Sequence, residues 1–300
     1  MSNNTIYEEA CNKVEGFKQI GDHFLRKLVI DGKSKSTHEN YLRQMAKLAL
    51  HYGRTPLDLD HNELEEYLYY LIQTDSSSRS SFKHLIYGLR KLYLLNNKEE
   101  LNLTLPSISR PDTLPVVLSQ SEVKCLLKAP KTLRDRIMFG LAYDTGIRIS
   151  ELTNLRIGDI DLERKCIHIR ESKCKKDRYI TISGHAARGI QKHLALNKPK
   201  DYLFDHSQRK GIPISKTRVR DILKQAVAKA GIKKDVCVHT LRHTYATHQL
   251  EAGQNIVSVK EAMGHVVIET TLMYLHIARI NHKGSFGSLD ILYGKCDGSK

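Results

Sequence analysis

No run of 18 apolar residues occurs in the 300-residue chain, so no membrane-spanning helix is expected. No secretory leader is expected either. The start, MSNNTIYEEACNKVEGF, has acidic residues where a signal would be basic and then apolar, and a cytoplasmic protein is expected. The six cysteines, Cys11, Cys125, Cys166, Cys174, Cys237 and Cys296, include no CxxC pair. Neither a zinc knuckle nor a disulfide framework follows from them, and reduced thiols are expected. Proline is scarce, seven in all, and three of these fall in one stretch, LNLTLPSISRPDTLPVV. That stretch has no helical period and reads as an extended linker over residues 101–117. Acidic residues are short in one part only: residues 1–100 hold 14 basic and 14 acidic side chains, whereas the remaining 200 hold 34 and 19, which is the entire net charge of +15. A basic field of this kind on a water-soluble domain points to a polyanion, most commonly nucleic acid.

What is present in residues 1–100 is helical pattern with short joints. A first helix is expected from Tyr7 to Val29, bent near Gly21, and a second from Thr37 to His51 with Tyr41, Met45, Leu48 and Leu50 as its apolar stripe and Gly53 as its stop. Asp60 and Glu63 form a capping-box pattern ahead of LEEYLYYLIQ. The turn TDSSSRSS leads into FKHLIYGLRKLYLLNN. Ser76, Ser77, Ser78, Ser80 and Ser81, with Arg79, have the chemistry to hold backbone phosphates at a helix N-terminus, and also that of a plain capping turn. Beyond the linker, Ser119 and Glu122 cap a helix closed by Pro130, and a longer helix runs through RDRIMFGLAYDTG. Arg148 and Glu151 follow, three residues apart, so that the carboxylate can hold the guanidinium. Two alternating segments, KCIHIRES and DRYITIS, read as a hairpin whose turn carries Lys173, Lys175 and Lys176. Helical AARGIQKHLALNK, a strand around Tyr202 to Phe204, and a helix with Lys216, Arg218, Arg220 and Lys224 along it complete the approach to the C-terminal region. Those four cations suit contact with DNA.

The most informative stretch is VHTLRHTYATHQLEAGQNIVSVKEAMGHVVIETTLMYLHI, which brings His239, Arg242, His265 and Tyr274 within 36 residues. A helix opens at His239 or Thr240 and runs to about Ala252, with Gly253 placed for a left-handed C-cap, and a second short helix ends at Gly264. His239 and Arg242 share one helix face, with Leu241, Tyr245 and Leu250 available for the core. A guanidinium fork beside an imidazole suits an anionic phosphorus centre. His239 and His243 stand four apart, but Thr240 occupies the place where the helical zinc-protease motif needs glutamate.

The string HTLRH from His239, MGH ending at His265, and TTLMYLH with Tyr274 nine residues later resembles the C-terminal signature of the tyrosine recombinases, the phage-type integrases and Xer-type enzymes. TGIRISEL around Arg148 matches that family's first arginine motif, and the resemblance covers about residues 10–280. It implies a mainly α fold with a small β-sheet: a SAM-like core-binding domain over residues 1–100 and a mixed α+β catalytic domain over 118–280. The resemblance further implies that Tyr274 is the nucleophile, that Arg148, Arg242, His239 and His265 surround the phosphate, and that Glu151 holds Arg148. A hairpin lysine would protonate the leaving hydroxyl. Register against DRYITIS favours Lys173, with Lys175 and Lys176 also open. No cofactor or metal is implied. The implied partner is double-stranded DNA with a specific target, bound by a homotetramer, and accessory proteins are allowed for. Residues 281–300, with Phe286, Leu289, Ile291, Leu292 and Tyr293, would dock on a neighbouring subunit, against the simpler alternative of packing in cis. The bundle is expected to start the chain without a further domain ahead of it, as in a simple two-domain recombinase. Two other activities fit part of the pattern: type IB topoisomerase-like relaxation and non-catalytic DNA binding.

Overall fold

The computed structural model describes residues 3–74, 79–106, 114–170, 177–206 and 208–278. The chain divides into two compact units, Met1–Pro111 and Asp112–Lys300. The first is all helical: α1 (Asn3–Lys13), α2 (Phe17–Ile30), α3 (Lys35–Tyr52), α4 (His61–Gln73), α5 (Arg79–Leu95) and α6 (Glu99–Thr104). Its core joins Phe17, Phe24 and Leu28 of α2 to Met45 and Leu48 of α3 and to Leu85, Ile86, Leu89 and Tyr93 of α5. The Asp60 capping box forms as the sequence predicts, with the Glu63 amide donating to Asp60 Oδ1 at 2.9 Å and the Asp60 amide donating to Glu63 Oε2 at 3.0 Å.

Two sequence expectations are corrected in this unit. The first helical stretch breaks at Gly16, which is left-handed (φ 77°), and not at Gly21. Gly21 lies inside α2, where its lack of a Cβ admits Tyr7. The proposed linker also begins later than its prolines suggest. α6 occupies residues 99–104, favoured by Glu99 and Glu100 in its first turn, and buried Leu105 pins its end to the core. Ser76, Ser77 and Ser78 lie outside the described residues, as does the side chain of Arg79 at the start of α5.

The second unit holds α7 (Gln120–Lys128), α8 (Leu133–Thr145), α9 (Ile149–Thr153), α10 (Gly184–Asn197), α11 (Lys216–Lys229), α12 (Val238–Glu251), α13 (Ile256–Met263) and α14 (Glu269–Leu272). Strands β1 (Ile160–Asp161), β2 (Cys166–Ile169) and β3 (Arg178–Thr181) form an antiparallel sheet in the order β1-β2-β3, with Ile167 opposite Ile180. Ile167, Ile169 and Ile180 point into a core shared with Phe139 of α8, Ile190 of α10 and Leu241 of α12. The expected strand at Tyr202 to Phe204 is displaced. β4 is Asp205–His206, paired with β5 (Arg209–Pro213), while the Leu203 amide is taken by the Leu155 carbonyl and the Tyr202 backbone makes an isolated bridge to Arg156. A smaller apolar cluster of Ala246, Leu250, Val259 and Met263 encloses Tyr274. No helix of the described residues is long and apolar enough to cross a membrane. Lys173, Lys175, Lys176 and the 281–300 tail lie outside the description.

Candidate active site

The site is assembled around the C-terminal end of α13. Gly264 caps this helix in the left-handed conformation (φ 64°), and the last carbonyls of a helix have no intrahelical donors. Three guanidiniums supply them. Arg178 Nε donates to the Ala262 carbonyl at 3.2 Å, Arg242 Nη2 to that of Met263 at 2.7 Å, and Arg148 Nη2 to that of Gly264 at 2.9 Å. The negative end of the helix dipole offsets part of the repulsion among the three cations, at roughly 0.3–1 kcal/mol for each such contact and up to about 2 where it is buried.

Each arginine is held at a second point. Gly146, also left-handed (φ 61°), ends α8 and turns the chain straight into Arg148. Its own carbonyl accepts from Arg242 Nη1 at 2.5 Å, and a Cβ there would strike the Tyr245 ring. Glu151 accepts from Arg148 Nη1 at 2.9 Å and takes Arg178 bidentately, at 3.1 and 2.8 Å. Burial alone would raise the Glu151 carboxyl, but the hydrogen bonds and charge of Arg178, followed by those of Arg148, bring it below the ordinary value. Arg242, with only 3% of its surface exposed, is lowered to about 10, first by burial and then by Arg148, and is still a cation at neutral pH. Three fixed positive charges therefore face one carboxylate, an excess that an entering phosphate diester would balance.

The imidazoles ring this pocket as free bases. His265 Nδ1 is bonded to the buried Thr271 hydroxyl at 2.8 Å, which sets the ring from α14. Burial first, then the charges of Arg242 and Arg148, lower His265 to about 4. His239 is exposed at the rim, yet its pKa is also lowered, by partial desolvation and then by Arg242, Arg148 and Arg220. Tyr274 is 2% exposed, its ring stacked on His265 (centroids 6.4 Å apart, 14° between planes). Its hydroxyl is bonded to His243 Nδ1 at 2.9 Å. Burial raises the phenol pKa, and the charges of Arg242 and Arg148 pull it back in part.

Of the residues singled out from sequence, Arg148, Glu151, Arg242, His239, His265 and Tyr274 converge here. Lys216 and Arg218 stand exposed on α11 outside this cluster, and Arg220 on the same helix is near enough to act on His239. Two members of the site escaped the sequence reading. Arg178 shares the inward face of β3 with buried Ile180, and a cation on an apolar face was its available signal. His243 was visible only as half of an unconvincing metal pair with His239, whose ring lies 6.1 Å away.

Known proteins resemble the chain along most of its length. The phage integrase family pattern matches residues 116–280, and that of the phage integrase N-terminal SAM-like domain matches residues 20–102. The chain is 35% identical over 267 residues to the tyrosine recombinase XerA of Pyrococcus furiosus, spanning 86% of this chain and 90% of that protein. It is 32% identical over 263 residues to a tyrosine recombinase of Thermosipho africanus, spanning 82% and 90%. Among solved structures, a XerA recombinase covers 95% of this chain and 100% of its own at 25% identity and TM-score 0.51. A lambda integrase (75–356) dimer bound to a core site shares the fold at TM-score 0.68 and 18% identity, with 84% of this chain and 96% of that one covered. The arginine, histidine and tyrosine constellation thus stands in a chain that belongs to the phage integrase family, the tyrosine recombinases.

Proposed function

We propose that this protein cuts and rejoins double-stranded DNA at a specific target site, with Tyr274 as the nucleophile. The observation that carries the reading is the placement of Tyr274 against His265 and under the charges of Arg242 and Arg148, beside three guanidiniums fixed on the end of α13. The Tyr274 oxygen attacks the phosphorus, giving a 3'-phosphotyrosyl bond and a free 5'-hydroxyl. A 5'-hydroxyl from a partner duplex then reverses the step and joins new strands. Arg148 and Arg242 neutralise the nonbridging oxygens, each contributing on the order of 3 kcal/mol in a preorganised site. His239 and His265 orient the phosphate, Glu151 holds Arg148 in place, and Lys173 is assigned as the acid toward the 5'-oxygen.

The remaining assignments follow from the same reading. The helical unit is the core-binding half of a clamp, with Arg79 at the start of α5 on the DNA. Lys216, Arg218 and Arg220 along α11 contact phosphates. Four copies act together in the cytoplasm, the 281–300 tail of each docks on its neighbour, and accessory proteins set the biological setting, whether integration, excision or resolution. The test is a plasmid with two copies of the DNA that flanks the gene, incubated with the purified chain. Excised or inverted products from that plasmid alone are expected. Relaxation of any supercoiled plasmid without site preference would identify a type IB topoisomerase-like activity instead.

A further inference from the structure

We infer that His243 is the group that receives the Tyr274 proton when the tyrosine attacks DNA, and returns it when the strand is rejoined. This rests on the assignment of Tyr274 as nucleophile. Among the described residues, the hydroxyl of Tyr274 has one hydrogen-bond partner, His243 Nδ1 at 2.9 Å. Of the other two histidines of the site, His265 has its Nδ1 engaged by Thr271, and His239 stands exposed at the rim with its ring centroid 6.1 Å from that of His243. His243 follows Arg242 directly on α12, so the helix that delivers the phosphate-binding guanidinium also fixes the acceptor. Its ring centroid lies 5.6 Å from that of Tyr274, a tyrosine packed between the apolar cluster of Ala246, Leu250, Val259 and Met263 and the stacked His265 ring.

The chemistry requires such a group. A buried phenol whose acidity is weakened is a poor nucleophile until its proton leaves, and little solvent surrounds a tyrosine that is 2% exposed as a whole residue. Burial, then His239 and Arg242, lower His243 to about 4, which leaves its lone pair available at neutral pH. An imidazolium beside Arg242 is costly in the free enzyme, and a bound phosphate diester offsets that cost. Proton transfer is therefore coupled to occupancy of the site. In the forward step the Tyr274 O–H proton passes to His243 Nδ1, the oxygen lone pair forms the O–P bond, and the P–O5' pair departs with the 5'-oxygen, which takes a proton from the separate acid. In joining, the 5'-hydroxyl returns its proton to that acid, its oxygen forms the new O5'–P bond, and the bond from phosphorus to the tyrosine oxygen breaks as that oxygen regains its proton from His243.

The test is single-turnover formation of the covalent adduct on a nicked suicide duplex taken from DNA flanking the gene, using the full chain. His243→Ala should slow adduct formation by about 100-fold or more, with DNA retention close to that of the parent. Replacing Tyr274 by 3,5-difluorotyrosine, a more acidic phenol, should recover at least about tenfold in the His243→Ala background and little in the parent, since it relieves the need for an acceptor. His243→Asn keeps a polar atom near the Nδ1 position without a titrating base. It should remain slow and be relieved in the same way, and it serves if the alanine variant fails to fold. Full activity in His243→Asn would reduce His243 to a positioning residue and overturn the inference. So would a defect relieved by a 5'-bridging phosphorothiolate leaving group but not by the fluorinated phenol, because His243 would then act on the 5'-oxygen. Adduct formation by Tyr274→Phe would instead remove the underlying nucleophile assignment.

Discussion

At the scale of single residues, the site depends on side chains that each satisfy two demands. Glu151 is the clearest case: one carboxylate, 7% exposed, neutralises Arg148 and takes both arms of Arg178. Arg178→Ala would leave Glu151 half-paired and the Ala262 carbonyl without its donor, at about 2 kcal/mol or more of stability. Arg178→Lys keeps the charge but not the two-point grip. Both should lower cleavage while leaving DNA affinity largely intact, and chemical denaturation alongside single-turnover cleavage separates the two effects. The histidines make a second prediction, of pH dependence. His243 and His265 fall from an ordinary value of 6.5 to about 4 in the folded protein, so the unfolded chain binds their protons first. Stability is fully present above pH 6.5 and is lost as pH falls toward 4, at up to about 1.4 kcal/mol per pH unit for each histidine. Melting temperatures recorded across that window should drop steeply, and less so in His265→Asn.

At the scale of elements, the end of α13 organises the centre, and its left-handed cap is the vulnerable point. A Cβ at Gly264 would lie 2.9 Å from the Arg178 guanidinium carbon on a backbone with φ of 64°. Gly264→Ala should therefore cost on the order of 1–2 kcal/mol, and it should also slow cleavage by displacing Arg178, which thermal melts and adduct kinetics would register separately. Local signals of this kind were readable in the chain: the Asp60 and Ser119 capping boxes, the Gly146 and Gly264 stops, and the alternation of β2 and β3 all appear where the sequence places them. What the sequence obscured depends on distant partners. Nothing local distinguishes Gly16 from Gly21, because the choice is made by Tyr7 packing against Gly21. The strand expected at Tyr202 to Phe204 gave way to β4 as the Leu203 amide is taken by the distant Leu155 carbonyl. Arg178 and His243 were passed over because their partners, Glu151 and Tyr274, lie 27 and 31 residues away.

At the scale of the whole molecule, charge is the dominant feature. A net +15, with Lys216, Arg218, Arg220 and Lys224 all exposed along α11, makes DNA affinity strongly dependent on counterion release. Raising salt from about 50 to 200 mM should weaken binding by orders of magnitude, and a combined charge reversal along α11 should flatten that slope. A shallow salt response in the parent protein would remove the basic surface from the account. The central claim is that Tyr274 becomes joined to DNA. Its most direct measurement is a denaturing gel of the protein incubated with nicked suicide duplexes from the DNA flanking its gene, wild type beside Tyr274→Phe, with both variants matched for binding by gel shift. An adduct that survives detergent in wild type and is absent from Tyr274→Phe, at nearly equal DNA affinity, is the predicted result. The same adduct in Tyr274→Phe would contradict it.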